Sequence, residues 1–138
     1  MEQFSCRTQI FFGDGAATAP LPWQTGRLMV VTDPFFYENG TARRIAEAAM
    51  PEAVCYFHRI EPDPTVTLAA EGAAEVKAFR PDTIMALGGG SAMDCAKAMA
   101  YFSGTKARLI AIPTTSGSGS EVTDFAILTH DGVKHPLI

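Results

Sequence analysis

The chain has 138 residues, of which 47% are hydrophobic and 19% are charged, and its formal net charge at pH 7 is −4. These values are typical of a single globular domain with its own core, and the negative charge argues against a nucleic-acid-binding protein. No apolar run approaches the roughly 18 residues of a membrane-spanning segment. The N-terminus also has none of the charge and hydropathy pattern of a signal peptide, so we expect a cytoplasmic protein without membrane association.

Apolar runs of strand length alternate with helical patterns along the chain. The pattern predicts strands at Thr8–Phe12, Arg27–Thr32, 53–58, 83–87 and 108–113, and a final strand pair at about 124–129 and 133–138. Helices are predicted at 41–50, from a cap at Thr65 to Phe79, and at 91–102. Strands that alternate with helices imply right-handed crossovers in a parallel sheet. The predicted fold is therefore α/β, with an open, mostly parallel Rossmann-like sheet flanked by helices and a C-terminal β-hairpin.

Asp33 follows the first strong strand pattern directly. Ligands of open α/β sheets bind outside the carboxyl ends of the strands. A carboxylate there can accept two hydrogen bonds from a ribose diol and would repel a 2′-phosphate, which favours NAD over NADP. The alternative is a simple Asp33-Pro34 turn, and the sequence alone slightly favours that turn.

The most informative segment follows the predicted strand that ends at Leu87. Three consecutive glycines, Gly88, Gly89 and Gly90, lead into a helical pattern that begins at Ser91. Backbone amides at a helix N-terminus attract anions, and glycines allow a diphosphate to approach the backbone closely. A tight turn without a ligand is the alternative. Because three glycines cost more backbone entropy than a plain turn requires, we favour a nucleotide site.

The helix after the glycines carries a charged face beside the turn. Met93 occupies the position of the last glycine in G-x-G-x-x-G, and the Walker pattern is absent, so neither common fingerprint applies. Asp94 and Lys97 are spaced as an i,i+3 surface pair. The spacing equally allows Asp94 to lie near the bound cofactor.

A second loop, residues 113–123, is rich in hydroxyl groups. Five of its residues between positions 114 and 120 are Ser or Thr, which is more donors than a connecting loop needs. Ser118 and Glu121 have the spacing of a capping box, which would account for those two residues but not for Thr114 and Thr115.

Three cysteines and three histidines lie scattered along the chain. Cys6, Cys55 and Cys95 form no C-x-x-C motif, so the sequence suggests neither a zinc site nor a disulfide framework. Cys95 lies beside the apolar face of its helix, which predicts a buried thiol. The histidines do not have the spacing of paired ligands on a helix, so we expect no metal bound by this chain.

Two motifs follow one another in the second half of the chain: Gly-Gly-Gly-Ser-x-x-Asp-x-x-Lys at 88–97 and Pro-Thr-Thr-Ser-Gly-Ser-Gly-Ser-Glu-Val-Thr at 113–123. In this order and spacing they resemble the iron-containing alcohol dehydrogenase family. Shorter segments agree with it: Phe12-Gly13-Asp14-Gly15, Val31-Thr32-Asp33, Pro62-Asp63-Pro64-Thr65 and Lys134-His135-Pro136-Leu137. The last two are similar to the branch of 1-propanol dehydrogenases.

The resemblance implies that residues 1–138 are a dinucleotide-binding N-terminal domain. In the family a larger helical domain follows and holds the iron through one aspartate and three histidines. It implies hydride transfer between NAD and a short-chain primary alcohol or aldehyde, with Fe²⁺ in the full-length protein only and with this portion inactive alone. Association as a homodimer and a location in a bacterial microcompartment are both open. The alternatives are a stand-alone nucleotide-binding module and a relative of the glycerol dehydrogenase or dehydroquinate synthase groups.

The resemblance implies that Gly88 and Gly89 shape the turn and that Gly90 and Ser91 hold the pyrophosphate. It implies that Thr114, Thr115 and Ser118 line the path of the adenosine and phosphates. It also implies that Asp33 and Asp63 lie toward the adenine ribose and that Lys134 approaches the cofactor from the strand pair. Together with Asp94, these are the predicted cofactor-binding residues. No catalytic residue is predicted in this chain. Ser118 stands where the family usually has Thr and keeps the hydroxyl. Asp63 stands where many members have Asn, so its role is less secure.

Overall fold

A computed structural model describes residues 1–3 and 5–138, which form a four-stranded parallel sheet with helices on both faces and a separate two-stranded hairpin. The elements in chain order are a 3₁₀ turn (Ala16–Thr18), β1 (Arg27–Thr32), α1 (Pro34–Glu38), α2 (Thr41–Ala48), β2 (Ala53–Phe57), α3 (Val66–Phe79), β3 (Thr83–Gly88), α4 (Gly90–Ser103), β4 (Arg108–Pro113), a second 3₁₀ turn (Ser120–Val122), β5 (Ala126–His130) and β6 (Val133–Leu137). The predicted α/β fold with a C-terminal hairpin is confirmed.

The strand order of the sheet, β2-β1-β3-β4, reverses direction at β1. The chain moves outward from β1 to β2 and then returns to the other side of β1 to form β3. Thr32 pairs with Leu87 at the carboxyl ends of β1 and β3, and the Thr32 hydroxyl donates a 2.8 Å hydrogen bond to the Leu87 carbonyl. Such a reversal opens a crevice between the two strand ends, which is where ligands of this architecture bind.

Both faces of β1 are covered, so its alternating residues pack into two separate hydrophobic cores. Leu28 and Val30 pack with the buried face of α2, where Ala42, Ile45 and Ala46 recur at helical spacing. Met29 and Val31 pack on the opposite face of the sheet with α3 and α4. A strand buried on both faces is continuously apolar, which is the pattern of residues 28–31.

Helices α3 and α4 lie close together because Gly72 has no side chain at their contact. A Cβ atom added to Gly72 would lie 2.6 Å from the Met99 sulfur. The predicted cap of α3 is confirmed, since the Thr65 hydroxyl accepts a 3.0 Å hydrogen bond from the Leu68 amide. The predicted burial of Cys95 on α4 is also confirmed.

Two local predictions are wrong. Residues 8–12 do not form a strand, and Phe12 is 90% exposed, because no neighbouring strand of the described chain pairs with this segment. The Asp33-Pro34 pair does not form a simple turn but begins α1. Asp33 caps this helix and Pro34 occupies its first turn, where the missing N–H has no cost. Strand β4 is predicted correctly but lies at the edge of the sheet, with Leu109 exposed.

Within residues 1–3 and 5–138, the structure contains no helix long and apolar enough to cross a membrane.

Candidate functional site

A cavity of about 300 Å³ opens at the crevice between the carboxyl ends of β1 and β3. The residues that line it are Asp33, Ile60, Glu61, Pro62, Gly89, Gly90, Ser91, Ala92 and Thr115. Five of them, Asp33, Gly89, Gly90, Ser91 and Thr115, belong to the predicted cofactor-binding set. The structure therefore brings together residues from β1, the glycine turn and the hydroxyl loop.

The glycine turn faces this cavity with the N-terminus of α4. The 14 residues of α4 begin at Gly90, so the positive end of the helix dipole is directed at the cavity. Gly88 has a φ of +149°, a backbone conformation that side chains disfavour, and a Cβ atom there would lie 2.9 Å from the Ala92 Cβ. The backbone conformation of the turn and its close packing against Ala92 therefore both favour glycine at position 88.

The hydroxyl loop packs directly on the glycine turn. The Thr114 amide donates a 2.9 Å hydrogen bond to the Gly88 carbonyl. A Cβ atom at Gly89 would lie 3.1 Å from the Thr115 hydroxyl oxygen, and one at Gly90 would lie 3.2 Å from the Ser118 Cβ. The two motifs that the sequence presents separately are therefore one packed unit, and Ser118 is at its rim rather than in the lining of the cavity.

The capping-box interpretation of Ser118 and Glu121 is wrong. The second 3₁₀ turn begins after Gly119, which occupies the cap position with a φ of +66°. The Ser118 hydroxyl instead accepts a 3.3 Å hydrogen bond from the Ser120 amide and lies 3.4 Å from a Glu121 carboxylate oxygen. Because Gly119 rather than Ser118 occupies the cap position, the Ser118 side chain bonds within the loop and does not cap the turn.

One carboxylate oxygen of Asp33 caps helix α1, and the other lies beside the glycine turn. Oδ1 accepts a 3.0 Å hydrogen bond from the Phe36 amide, and Oδ2 lies 3.7 Å from the position that a Cβ atom of Gly88 would take. A carboxylate has about four acceptor sites, so the cap does not exhaust its capacity.

Asp94 does not reach the cavity. Its carboxylate accepts hydrogen bonds from the Ser120 hydroxyl at 2.5 Å and from the Ile127 amide at 3.1 Å. Lys97 lies 3.7 Å from the same carboxylate, so the predicted i,i+3 pair forms, but its side chains are only 19% (Lys97) and 16% (Asp94) exposed, so it is mostly buried rather than a surface pair. Burial lowers the pKa of Lys97, and the neighbouring carboxylates of Asp94, Glu121 and Asp124 oppose that shift.

Asp63 and Lys134 meet at a second position, beside the cavity. The Lys134 ammonium lies 2.8 Å from the Asp63 carboxylate, and both side chains are more than 60% exposed. The Thr129 amide donates to the Pro64 carbonyl at 2.9 Å, which joins the hairpin to the loop that carries Asp63. Asp63 lines a neighbouring cavity of about 380 Å³ that shares Glu61 and Pro62 with the first.

Sequence reasoning missed the segment 60–62 that lines the cavity. The Ile60 amide donates to the Thr32 carbonyl at 3.3 Å, which holds this segment against the end of β1. Glu61 lies in the loop after β2, and its position beyond the carboxyl end of a strand was the available signal. Among the described lining residues, Asp33 and Glu61 are the charged ones, and both are acidic.

The family model described as iron-containing alcohol dehydrogenase matches residues 7–138. The chain belongs to the iron-containing alcohol dehydrogenase family. It is 33% identical over 144 residues to 1-propanol dehydrogenase PduQ of Citrobacter freundii, which covers 99% of this chain and 39% of that protein. It is 40% identical over 143 residues to the bifunctional aldehyde-alcohol dehydrogenase AdhE of Escherichia coli K12, with 80% and 16% covered.

Solved structures of this family carry the same fold. The sulfoacetaldehyde reductase of Bifidobacterium kashiwanohense, in complex with NAD⁺, superposes with a TM-score of 0.82 at 30% identity, over all of this chain and 43% of that one. The iron-containing alcohol dehydrogenase of Thermococcus thioreducens gives a TM-score of 0.81 at 25% identity, over 99% and 43%. The chain thus has the fold of the N-terminal domain of iron-containing alcohol dehydrogenase structures and spans less than half the length of these relatives.

In the part of the chain that the structure describes, no group of three or more His, Cys, Asp and Glu residues is placed to hold a metal ion. Cβ atoms on Gly89 and Gly90 would press on Thr115 and Ser118, so these glycines allow the hydroxyl loop to pack against the N-terminus of α4, which lines the cavity.

Proposed function

We propose that residues 1–138 form the NAD-binding domain of an iron-dependent alcohol dehydrogenase that interconverts a short-chain primary alcohol and its aldehyde. The observation that carries the proposal is the glycine turn at the N-terminus of α4, which faces a cavity at the reversal of strand order. The family membership of the chain, and the NAD⁺ complex of a relative with the same fold, support it. The substrate and the iron are proposed to be held outside the residues described above.

The diphosphate of the cofactor is proposed to bind the amides of Gly90 and Ser91. The helix dipole of α4 stabilises negative charge there. A cavity of about 300 Å³ is at the lower end of ligand-site volumes, so it would hold the diphosphate and the adjoining ribose rather than the whole dinucleotide. When bound, the nicotinamide supplies the hydride chemistry.

The free oxygen of Asp33 is proposed to accept hydrogen bonds from the adenine ribose. Thr115 lines the same cavity, and Thr114 and Ser118 hold the hydroxyl loop on the turn. Asp63 and Lys134, joined by their ion pair, are proposed to border the cofactor from the hairpin side. Because the charged lining residues are acidic, a 2′-phosphate would be repelled, which favours NAD over NADP.

The experiment is a titration of the chain with NAD, followed through the backbone amide signals of Gly88–Ser91. We expect these signals to shift in a saturable manner, whereas the signal of Gly104, at the opposite end of α4, stays in place. ADP-ribose, which lacks the nicotinamide, should produce the same shifts, since the proposed contacts lie on the adenosine side. Unchanged Gly88–Ser91 signals at millimolar NAD would refute the proposal.

A further inference from the structure

Asp94, Lys97 and Ser120 form a mostly buried polar cluster between α4 and the second 3₁₀ turn. We propose that this polar cluster positions the hydroxyl loop on the glycine turn, so that it sets NAD affinity without touching the cofactor. This inference rests on the proposed function, because it assigns positioning residues to the same site.

The hydrogen-bonding capacity of the cluster is used within the protein. Lys97 has three N–H donors, and they are directed to the Ser120 hydroxyl at 2.8 Å, the Phe125 carbonyl at 2.9 Å and the Thr123 hydroxyl at 3.2 Å. The Asp94 carboxylate accepts from the Ser120 hydroxyl and the Ile127 amide. Since these contacts engage all three donors of Lys97 and both carboxylate oxygens of Asp94, the two side chains are placed to hold protein segments.

The hydroxyl loop is attached at its two ends, and the cluster forms one of these attachments. The first end is the hydrogen bond from the Thr114 amide to the Gly88 carbonyl. The second is Ser120, which is 6% exposed and begins the 3₁₀ turn near the end of the loop. Between them, Gly117 and Gly119 have φ values of +91° and +66°, so the loop contains two of the residues with the greatest backbone freedom.

The contacts that shape the cavity lie between these two attachments. Thr115 lies against Gly89 and Ser118 lies against Gly90, the glycines in front of which the diphosphate is proposed to bind. Release of Ser120 would weaken the second attachment, where the Thr123 hydroxyl, 3.2 Å from the Lys97 ammonium, would remain. The loop could then move away from the turn while the parallel sheet stays intact, because the hydrogen-bond partners of Asp94 and Lys97 lie in residues 120–127, outside that sheet.

The test compares carboxylate substitutions at two ends of the fold. Asp94→Asn weakens the cluster, whereas Asp82→Asn is the matched control. Asp82 accepts hydrogen bonds from the Gly26 and Arg27 amides, at 2.9 and 2.8 Å, at the amino end of β3. Both variants lose a carboxylate that binds backbone amides. We expect Asp94→Asn to weaken NAD binding about tenfold, which corresponds to one lost charge-assisted hydrogen bond, and Asp82→Asn to leave NAD affinity unchanged.

A second pair of variants separates positioning from general stability. Ser120→Ala removes the hydroxyl that joins Asp94 to Lys97, and Ser120→Thr retains it. We expect Ser120→Ala to weaken NAD binding and to speed amide hydrogen exchange in residues 115–119, and Ser120→Thr to restore both. Thermal denaturation of each variant shows how much stability it has lost.

The outcomes distinguish this inference from the proposed function. If the native chain binds NAD and the Asp94 and Asp82 variants lose affinity equally, the positioning role is refuted while the NAD site stands. If the native chain binds no NAD, the proposed function is refuted. Hydrogen exchange in the cofactor-free chain then still decides the positioning role, since unchanged exchange of residues 115–119 in Ser120→Ala would refute it.

Discussion

The substitution Asp33→Asn tests how the cavity would discriminate between NAD and NADP. It removes one negative charge but keeps a side-chain oxygen for the Phe36 amide, and Asn caps helices about as well as Asp. The fold should therefore be retained, with a change in the free energy of unfolding below about 0.5 kcal/mol. This separates the charge of Asp33 from its structural role, which the substitution Asp33→Gly would not do.

The magnitude follows from the charges at the site. Two unit charges about 4 Å apart interact by about 1 kcal/mol at the dielectric constant of water. This value suits Asp33, whose side chain is half-buried at the edge of an open cavity. A phosphate monoester carries a charge of about −1.5 to −2 at pH 7. The repulsion of a 2′-phosphate by Asp33 is therefore about 2 kcal/mol, which is about a 30-fold difference in affinity.

Isothermal titration with NAD and with NADP measures the ratio of the two dissociation constants. We expect Asp33→Asn to reduce the preference for NAD about 30-fold. Raising the salt concentration should reduce the preference of the native chain as well, because the screening length falls from about 10 Å at 0.1 M to about 3 Å at 1 M. Asp131→Asn is the matched control, since Asp131 is 89% exposed in the hairpin turn. A preference that Asp33→Asn leaves within twofold of the native value would refute the electrostatic reasoning.

Three further predictions concern stability and reactivity. Gly88→Ala should lower the free energy of unfolding in urea by about 1–3 kcal/mol, because it combines a positive φ with a close contact to Ala92; a loss below about 0.5 kcal/mol would contradict this. In thiol labelling at pH 8, exposed Cys6 should react first and Cys95 only on unfolding, since burial raises the pKa of Cys95 to about 12; modification of Cys95 in the folded chain would refute it. Burial acts to raise the pKa of Asp82, but hydrogen bonds from backbone amides outweigh it and hold that pKa below its usual value. The stability from Asp82 should therefore be full above about pH 4 and be lost as the pH falls through the lowered pKa, and Asp82→Asn should reduce this acid-dependent loss in thermal denaturation scans.

The parts of the fold that the sequence predicts well have local signals. Residues 27–32 and 66–79 form the predicted strand and helix because their apolar spacing and the Thr65 cap are encoded within a few neighbouring positions. The glycine turn is predicted for the same reason, since its three glycines and the helical pattern that follows them are adjacent in the sequence. The strand expected at 8–12 fails because its apolar pattern is correct but strand formation also requires a partner.

The site depends on contacts between distant segments, which local patterns do not encode. The side chain of Asp94 could be placed beside the glycine turn from its spacing, but its true partners, Ser120 and Ile127, lie 26 and 33 residues further along the chain. The pairing of Asp63 with Lys134 likewise depends on how the hairpin docks on the loop before α3. Charge and spacing suggest which residues are candidates, whereas tertiary packing decides what each of them contacts.

The contact between the glycine turn and the hydroxyl loop limits how either segment can change in evolution or in design. Because a methyl group at Gly90 would press on the Ser118 Cβ, growth on one side requires a smaller residue on the other. Substitutions in the two segments should therefore be accepted as reciprocal pairs. A library that randomises only one segment would reject most enlarged residues for steric reasons, whatever their effect on the coenzyme.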